Sequence, residues 1–373
     1  MDVTFSEEQA MLRNTARRFV GNELTIDYIK AIVDREDRFT DQKWTKLSEL
    51  GCNGILIPEE YGGLELTFVD LAVVLEEMGR APLPGPFVST VVLAGEAVRL
   101  AGSRDQKQAY LPRIASGELK GTLAWAEPGS LYDLNSIKTL YTCEKTGFLL
   151  TGTKTFVTDA DVADLIICVA NGPLGIGMFL VDRKAPGVHV NPLATMDRTM
   201  SFSEVTFTDV EIASGAWLNS LVSCASVLER LFNGINVAYS LDIVGGADKV
   251  LSIGVEYAKE REQFGQPIGS FQAIKHRCAD ILTDLEGARS IAYYAAWAQD
   301  QNMNMASVYA SAAKAFCSEV YANAAKDVVQ ILGGIGFSWE NEIHIFLKRA
   351  KCLGSLYGGA SFHRERLAAE LGY

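Results

Sequence analysis

Tyr257-Ala-Lys-Glu-Arg-Glu-Gln-Phe-Gly-Gln-Pro-Ile-Gly-Ser-Phe-Gln-Ala-Ile-Lys-His276 is the stretch that decides how this chain is read. Val244, Val250, Ile253 and Tyr257 recur at helical spacing and lead into Lys259, Arg261 and Gln263, so a helix is expected to stop at Gly265 and Pro267. Ser270 is expected to open the next helix, in which Ile274, Cys278, Ile281 and Leu282 keep the same period. A guanidinium at a helix end beside a glycine turn is well placed to meet a phosphate. Taken alone, Arg261 equally suits a solvated last turn, where it complements the helix dipole.

Working outward, residues 1 to about 119 read helical. Ser6-Glu-Glu-Gln9 and Ser103-Arg-Asp-Gln106 are capping boxes, and Thr40 can cap a helix through Trp44, Leu47 and Leu50. Leu71, Val74, Leu75 and Met78 form another apolar stripe, closed by Gly79 and Pro82. Near residue 120 the period changes. Thr122–Ala126, Phe148–Gly152, Leu165–Val169, Met178–Val181 and Glu204–Phe207 are short strand-like runs with no long helical pattern between them. An antiparallel sheet or small barrel is expected there. From about 219 the helical period returns, and Ala-rich segments suit closely packed helices. The expected domains are therefore 1–119 (helical), 120–218 (central β) and 219–373 (helical bundle).

The bulk composition narrows the function. The 373 residues carry a net charge of −12, which disfavours nucleic acid or an anionic membrane as the main partner. No apolar run reaches the ~18–20 residues a membrane span needs, and the first residues lack the pattern of a secretory signal. Seven scattered cysteines, none in C-x-x-C, suggest reduced thiols in a cytoplasm with neither disulfide framework nor metal site.

Read whole, Tyr257–His276 resembles the flavin-contact segment of acyl-CoA dehydrogenases, and the similarity reaches both ends of the chain. Gln330-Ile-Leu-Gly333-Gly334-Ile-Gly336-Phe337 is similar to that family's Q-x-x-G-G-x-G turn, where glycine lets the backbone approach the adenosine half of FAD. Trp125-Ala126-Glu127-Pro128-Gly129 and Lys154-Thr155-Phe156-Val157-Thr158-Asp159 resemble its T-E-P-G-x-G-S-D and W-I-T-N segments. The resemblance implies FAD and the acyl-CoA dehydrogenase fold: an α-helical N-terminal domain, a central antiparallel β domain and a C-terminal four-helix bundle in a dimer of dimers. It implies that Arg261, Gln263, Phe264, Gln272, Gln330, Gly333 and Gly334 reach a flavin held mainly by a neighbouring subunit. Thr158 would bond the reactive edge of the chain's own flavin, Phe156 would wall it, and the Trp125 and Ala126 backbone would face its pyrimidine edge. Four departures stand in that second set: Ala126 for Thr, Leu131 for Gly, Tyr132 for Ser and Asp159 for Asn. The contacts given away are thus better kept than those used at home.

Dehydrogenation of an acyl-CoA needs a carboxylate to take the α-proton. The family's Glu falls at Tyr357 or Gly358, depending on alignment, and the branched-chain position falls at Ile235. Glu229 and Asp242 are the nearest carboxylates along that helix. No catalytic residue is assigned. Four readings follow. The chain is a companion subunit of a heteromeric (α2β2) enzyme whose paralogue supplies the base, acting on a bulky or steroid side-chain acyl-CoA. Alternatively it is a self-sufficient homotetramer with an unrecognised base, a flavin monooxygenase of the same fold, or a structural partner without chemistry. Electron-transfer flavoprotein is the implied acceptor.

Overall fold

The computed structural model describes residues 5–34, 39–130, 132–218 and 223–373. Leu131 lies outside the described residues, as do 219–222, where the third domain is expected to begin. The chain divides into two compact units, Met1–Arg38 with Phe68–Pro84 and Asn236–Tyr373, and Phe39–Thr67 with Gly85–Ile235.

The first unit is helical. It contains α1 (Glu7–Glu23) and α2 (Ile26–Val33); α3 (Asp41–Glu49) follows in the second unit, and α4 (Phe68–Gly79) returns to the first. The Ser6–Gln9 capping box and the Thr40 cap form as expected. Helix α4 is buried from Leu71 to Gly79, so its two buried acids, Glu76 and Glu77, need partners. Glu77 accepts from Arg13 and Arg17, and Glu76 from Arg289 and Tyr293, at 2.7–2.9 Å. Removing one member would leave a buried charge uncompensated, which costs several kcal/mol.

The second unit holds the two four-stranded sheets. A π-helical stretch, Ser89–Gly95, leads into α5 (Glu96–Ala101), and α6 (Arg104–Ala115) starts at the Ser103–Gln106 capping box. The strands are β1 (Gly121–Ala124), β2 (Leu140–Glu144), β3 (Gly147–Thr158), β4 (Leu165–Ala170), β5 (Gly177–Asp182), β6 (Val188–Pro192), β7 (Phe202–Ala213) and β8 (Trp217–Leu218). They form two four-stranded sheets, ordered β1-β4-β5-β8 and β2-β3-β7-β6. Tyr141, Phe148, Ile166, Phe179 and Phe207 belong to the core they share. All pairings are antiparallel except β1 with β4, which is parallel. That exception is a correction to the sequence expectation. The exposed strands β2 and β6 lack a continuous apolar run and escape it too.

Helix α7 (Cys224–Glu260) passes from the second unit into the first. The first unit then adds the hairpin β9 (Glu262–Gln263) and β10 (Gln266–Pro267), followed by α8 (Gln272–Asp300), α9 (Ala306–Leu332), α10 (Ile343–Ser355) and α11 (Ala360–Glu370). Ser270 does not cap α8. Its hydroxyl donates back to Pro267 O at 2.7 Å, and Phe271 occupies the cap position. Among the described residues, no helix is long and apolar enough to cross a membrane.

Candidate active site

In the second unit, a buried ion pair ties the two flavin-like segments together. Lys154 Nζ donates to Glu127 Oε1 at 2.7 Å and to Trp125 O at 3.2 Å. Glu127 also accepts from the N–H groups of Lys138 (2.6 Å) and Thr139 (2.9 Å). Burial pushes the Glu127 carboxyl up, but the hydrogen bonds from Lys154, Thr139 and Lys138 outweigh it and hold the group below the usual range. Thr155 N–H donates to Ala126 O at 2.9 Å. With the Trp125 and Ala126 carbonyls so engaged, the N–H edge of this turn is what it can present to a ring. The sequence hint to this pair was a lysine inside a strand otherwise built of apolar and hydroxyl residues.

The end of β3 is shaped by a bulge between Lys154 and Val157. Phe156 takes φ +50° there and turns its ring outward, 47% exposed. Thr158 is buried, and its carbonyl accepts from Thr122 Oγ1 at 2.6 Å. Among the described residues its own Oγ1 has no partner, and neither has Trp125 Nε1. A buried hydroxyl left unbonded costs about 1–3 kcal/mol, so it marks a place where a polar ligand edge fits. Asp159 has φ +56°, a left-handed conformation that Asn and Asp both tolerate, so the departure from Asn keeps the backbone. Tyr132 packs its ring against Trp125 (5.8 Å) and Phe232 (5.5 Å), where the family pattern has a small Ser.

In the first unit, Arg261 follows the last residue of α7, and its N–H closes the helix on Tyr257 O at 2.8 Å. The chain then makes a hairpin that sequence periodicity does not reveal, turning through Phe264 (φ +55°) and Gly265 (φ +78°). Arg261 and Gln263 are exposed, and Phe264 is 93% exposed. Arg261 makes no ion pair among the described residues. Gln272 opens α8 at the surface. Gln330 is exposed near the end of α9, and Gly333 turns the chain at φ +64°, ψ −135°, a conformation for glycine alone. A Cβ at Gly333 or Gly334 would meet open space, so nothing within the described chain occupies that backbone face. Arg277 pairs with Asp327 at 2.7 Å, which puts the start of α8 beside the end of α9 and brings the two motifs to one end of the helix pair.

The turn where the family carries its base is different. Tyr357 has φ +55° and is 4% exposed, with its ring 6.0 Å from that of Tyr239. Gly358 has φ +102°. Lys314 Nζ donates to Leu353 O (2.7 Å) and Gly358 O (3.1 Å), and His363 Nε2–H donates to Tyr357 O (3.0 Å). Burial drops the Lys314 ammonium to about 7 and the His363 imidazolium to about 3. A Cβ on Gly358 would collide with the Phe362 ring and come within 3.0 Å of His363 Nε2. Sequence reasoning missed both Lys314 and His363; a lysine within the Ala-rich face of α9 was the available sign.

The other carboxylates are accounted for. Asp242 is buried and accepts from Arg349 Nη2 at 2.6 Å. Glu229 lies exposed on α7, and Ile235 is buried. Among the described residues, no group of three or more His, Cys, Asp or Glu could hold a metal ion.

Three domain families match nearly the full length: the acyl-CoA dehydrogenase N-terminal domain over residues 6–118, the middle domain over 122–210 and the C-terminal domain over 226–372. The chain belongs to the acyl-CoA dehydrogenase family. An acyl-CoA dehydrogenase of Bacillus subtilis (strain 168) is 30% identical, with 95% of each chain covered. Among solved structures, a chain of the ChsE4–ChsE5 complex of Mycobacterium tuberculosis superposes with TM-score 0.91 at 28% identity, covering 100% of this chain and 99% of that one. The FAD complex of PigA gives TM-score 0.93 at 25% identity, covering 100% and 99%. The fold is the three-domain acyl-CoA dehydrogenase fold, the reaction class is FAD-dependent acyl-CoA dehydrogenation, and FAD is the cofactor. Within the second unit, the Thr158 hydroxyl, without a partner among the described residues, suits a polar ring edge; within the first, the open Gly333–Gly334 backbone and the exposed Arg261 suit a phosphate-bearing cofactor.

Proposed function

We propose that this chain is the base-lacking subunit of a heteromeric acyl-CoA dehydrogenase. It lends Arg261, Gln263, Phe264, Gln272, Gln330, Gly333 and Gly334 to FAD held by a base-bearing paralogue. The observation that carries this reading is the Tyr357–Gly358 turn, which offers no carboxylate and is closed to a Cβ by Phe362. The likeness to a chain of the ChsE4–ChsE5 complex supports an assembly of two different subunits. A self-sufficient enzyme has less support, because Asp242 already neutralises Arg349 and Glu229 lies on the surface.

FAD supplies the hydride acceptor. The paralogue supplies the carboxylate for the α-proton. In this chain, the Arg261 guanidinium meets a phosphate, the Gly333–Gly334 backbone lets the adenosine half approach, and the Thr158 hydroxyl bonds a polar ring edge in the chain's own half-site. The proposed substrate is a bulky acyl-CoA, including steroid side-chain esters, with electron-transfer flavoprotein as acceptor. Purified alone, the chain should turn over acyl-CoA poorly, and the paralogue should restore the rate. Robust turnover by the homo-oligomer contradicts the reading.

A further inference from the structure

Of the four departures in the chain's own half-site, Tyr132 is the bulkiest, and its ring closes a triangle within the second unit. Tyr132 lies 5.8 Å from Trp125 and 5.5 Å from Phe232, and Trp125 lies 5.8 Å from Phe232, centroid to centroid. Rings so spaced are in contact, and no width is left among the three for a chain of methylenes. The turn that carries Tyr132 is held by its own backbone and by the ion pair beneath it. Glu127 O accepts from Ser130 N–H and Ser130 O from Asp133 N–H, each at 3.2 Å, while Lys154 anchors the Glu127 carboxylate. The other two rings come from separate walls. Trp125 follows β1 beside the end of β3, where Thr122 bonds Thr158 and Ala126 bonds Thr155, so it shares a wall with Thr158. Phe232 comes from α7, three residues before Ile235 and on the same helix face; Ile235 is the position aligned with the branched-chain base. The triangle therefore spans from the proposed flavin wall to the helix face turned to an acyl group. A buried indole in a simple core usually reaches a hydrogen-bond partner, yet Trp125 Nε1 has none among the described residues.

We propose that Tyr132, with Trp125 and Phe232, shuts acyl-CoA out of this chain's own half-site. This deepens the preceding proposal and rests on its placement of Thr158 at the flavin. The half-site is then silent for want of room as well as for want of a base. Tyr132→Ser restores the family's small residue, leaves only the Trp125–Phe232 contact and opens one side of the triangle to the thioester's chain.

The test titrates the assembled, FAD-loaded 2:2 complex calorimetrically with trans-2-octenoyl-CoA, which already carries the double bond and is not turned over. The wild type is expected to bind two molecules per complex and Tyr132→Ser four, a doubling of sites. Tyr132→Phe keeps the ring and should stay at two. Four sites in the wild type overturn the proposal, and so do two sites in a Tyr132→Ser complex that native mass spectrometry shows intact. Should Tyr132→Ser fail to assemble, Phe232→Ala opens the triangle from α7 and decides on the same counts. Turnover separates the two levels. The opened half-site still lacks a base, so Tyr132→Ser should gain binding without gaining rate. Extra rate together with extra sites keeps the aromatic closure and contradicts the base-lacking reading. Two sites in Tyr132→Ser, with the rate still dependent on the paralogue's carboxylate, overturn the closure alone.

Discussion

Two turns in the first unit share one backbone device, a left-handed non-glycine residue followed by a left-handed glycine. Phe264–Gly265 has φ +55° and +78°; Tyr357–Gly358 has φ +55° and +102°. Their surroundings are opposite, with Phe264 93% exposed and Tyr357 4% exposed. The first turn is held by its own ladder, Gln263 against Gln266 and Glu262 against Pro267, with Ile268 N–H on Arg261 O at 2.7 Å. Its side chains are left to face outward. The second is held from outside itself, by Lys314 and His363 on its carbonyls and by Phe362 over its glycine. A turn that closes on its own backbone can offer chemistry to a neighbour, whereas a turn clamped by its surroundings has no room for a new side chain.

The largest effect expected from this contrast is at Gly358. Gly358→Glu puts the family's carboxylate at the position aligned on the tyrosine, but forces a left-handed L-residue against Phe362. The cost is about 2–4 kcal/mol, from the backbone penalty and overpacking together. Urea unfolding should show that loss, and the variant should gain no dehydrogenase activity; a stable, active Gly358→Glu enzyme breaks the contrast. Arg261→Ala comes next. It should leave stability unchanged and weaken flavin binding by about 1.5–3 kcal/mol, the worth of a charge-assisted hydrogen bond. Fluorescence titration with FAD checks it, and full occupancy at unchanged affinity removes Arg261 from the site.

Lys314 sharpens the other side through pH. Its folded value of about 7 lies below the ordinary 10.5, so between those values the unfolded chain binds the extra proton. Its contribution therefore makes wild-type stability rise as pH climbs from about 7 toward 10.5, and Lys314→Met lacks that rise. Chemical unfolding at pH 7 and 9.5 should show the wild type gaining on the variant at the higher pH. A constant difference means that Lys314 keeps its ordinary proton affinity in the fold and that burial does not favour its neutral form.

Much of the architecture was legible because local and tertiary signals agree. Both capping boxes, the Thr40 cap and the switch from helical to strand period near residue 120 reappear in the structure. The hairpin at 262–267 was not legible: two-residue strands have no periodicity, and Phe264 is not a residue that announces a left-handed turn. Ser270 misled because a hydroxyl before a helix can bond backward as well as forward. The Glu127–Lys154 and Lys314 clamps escaped for another reason. Each joins residues 27 to 44 apart, and one sequence gives no sign of which polar groups meet.

The smallest effect belongs to Glu229, exposed on α7. Glu229→Gln should leave the rate of the assembled enzyme within a few-fold, whereas loss of the paralogue's carboxylate should abolish it. The most direct test of the account is the number of working flavins in a 2:2 complex, from flavin absorbance against protein mass with native mass spectrometry for composition. The account predicts two flavins bleached by substrate for every four chains. Four flavins, all bleached, would contradict it.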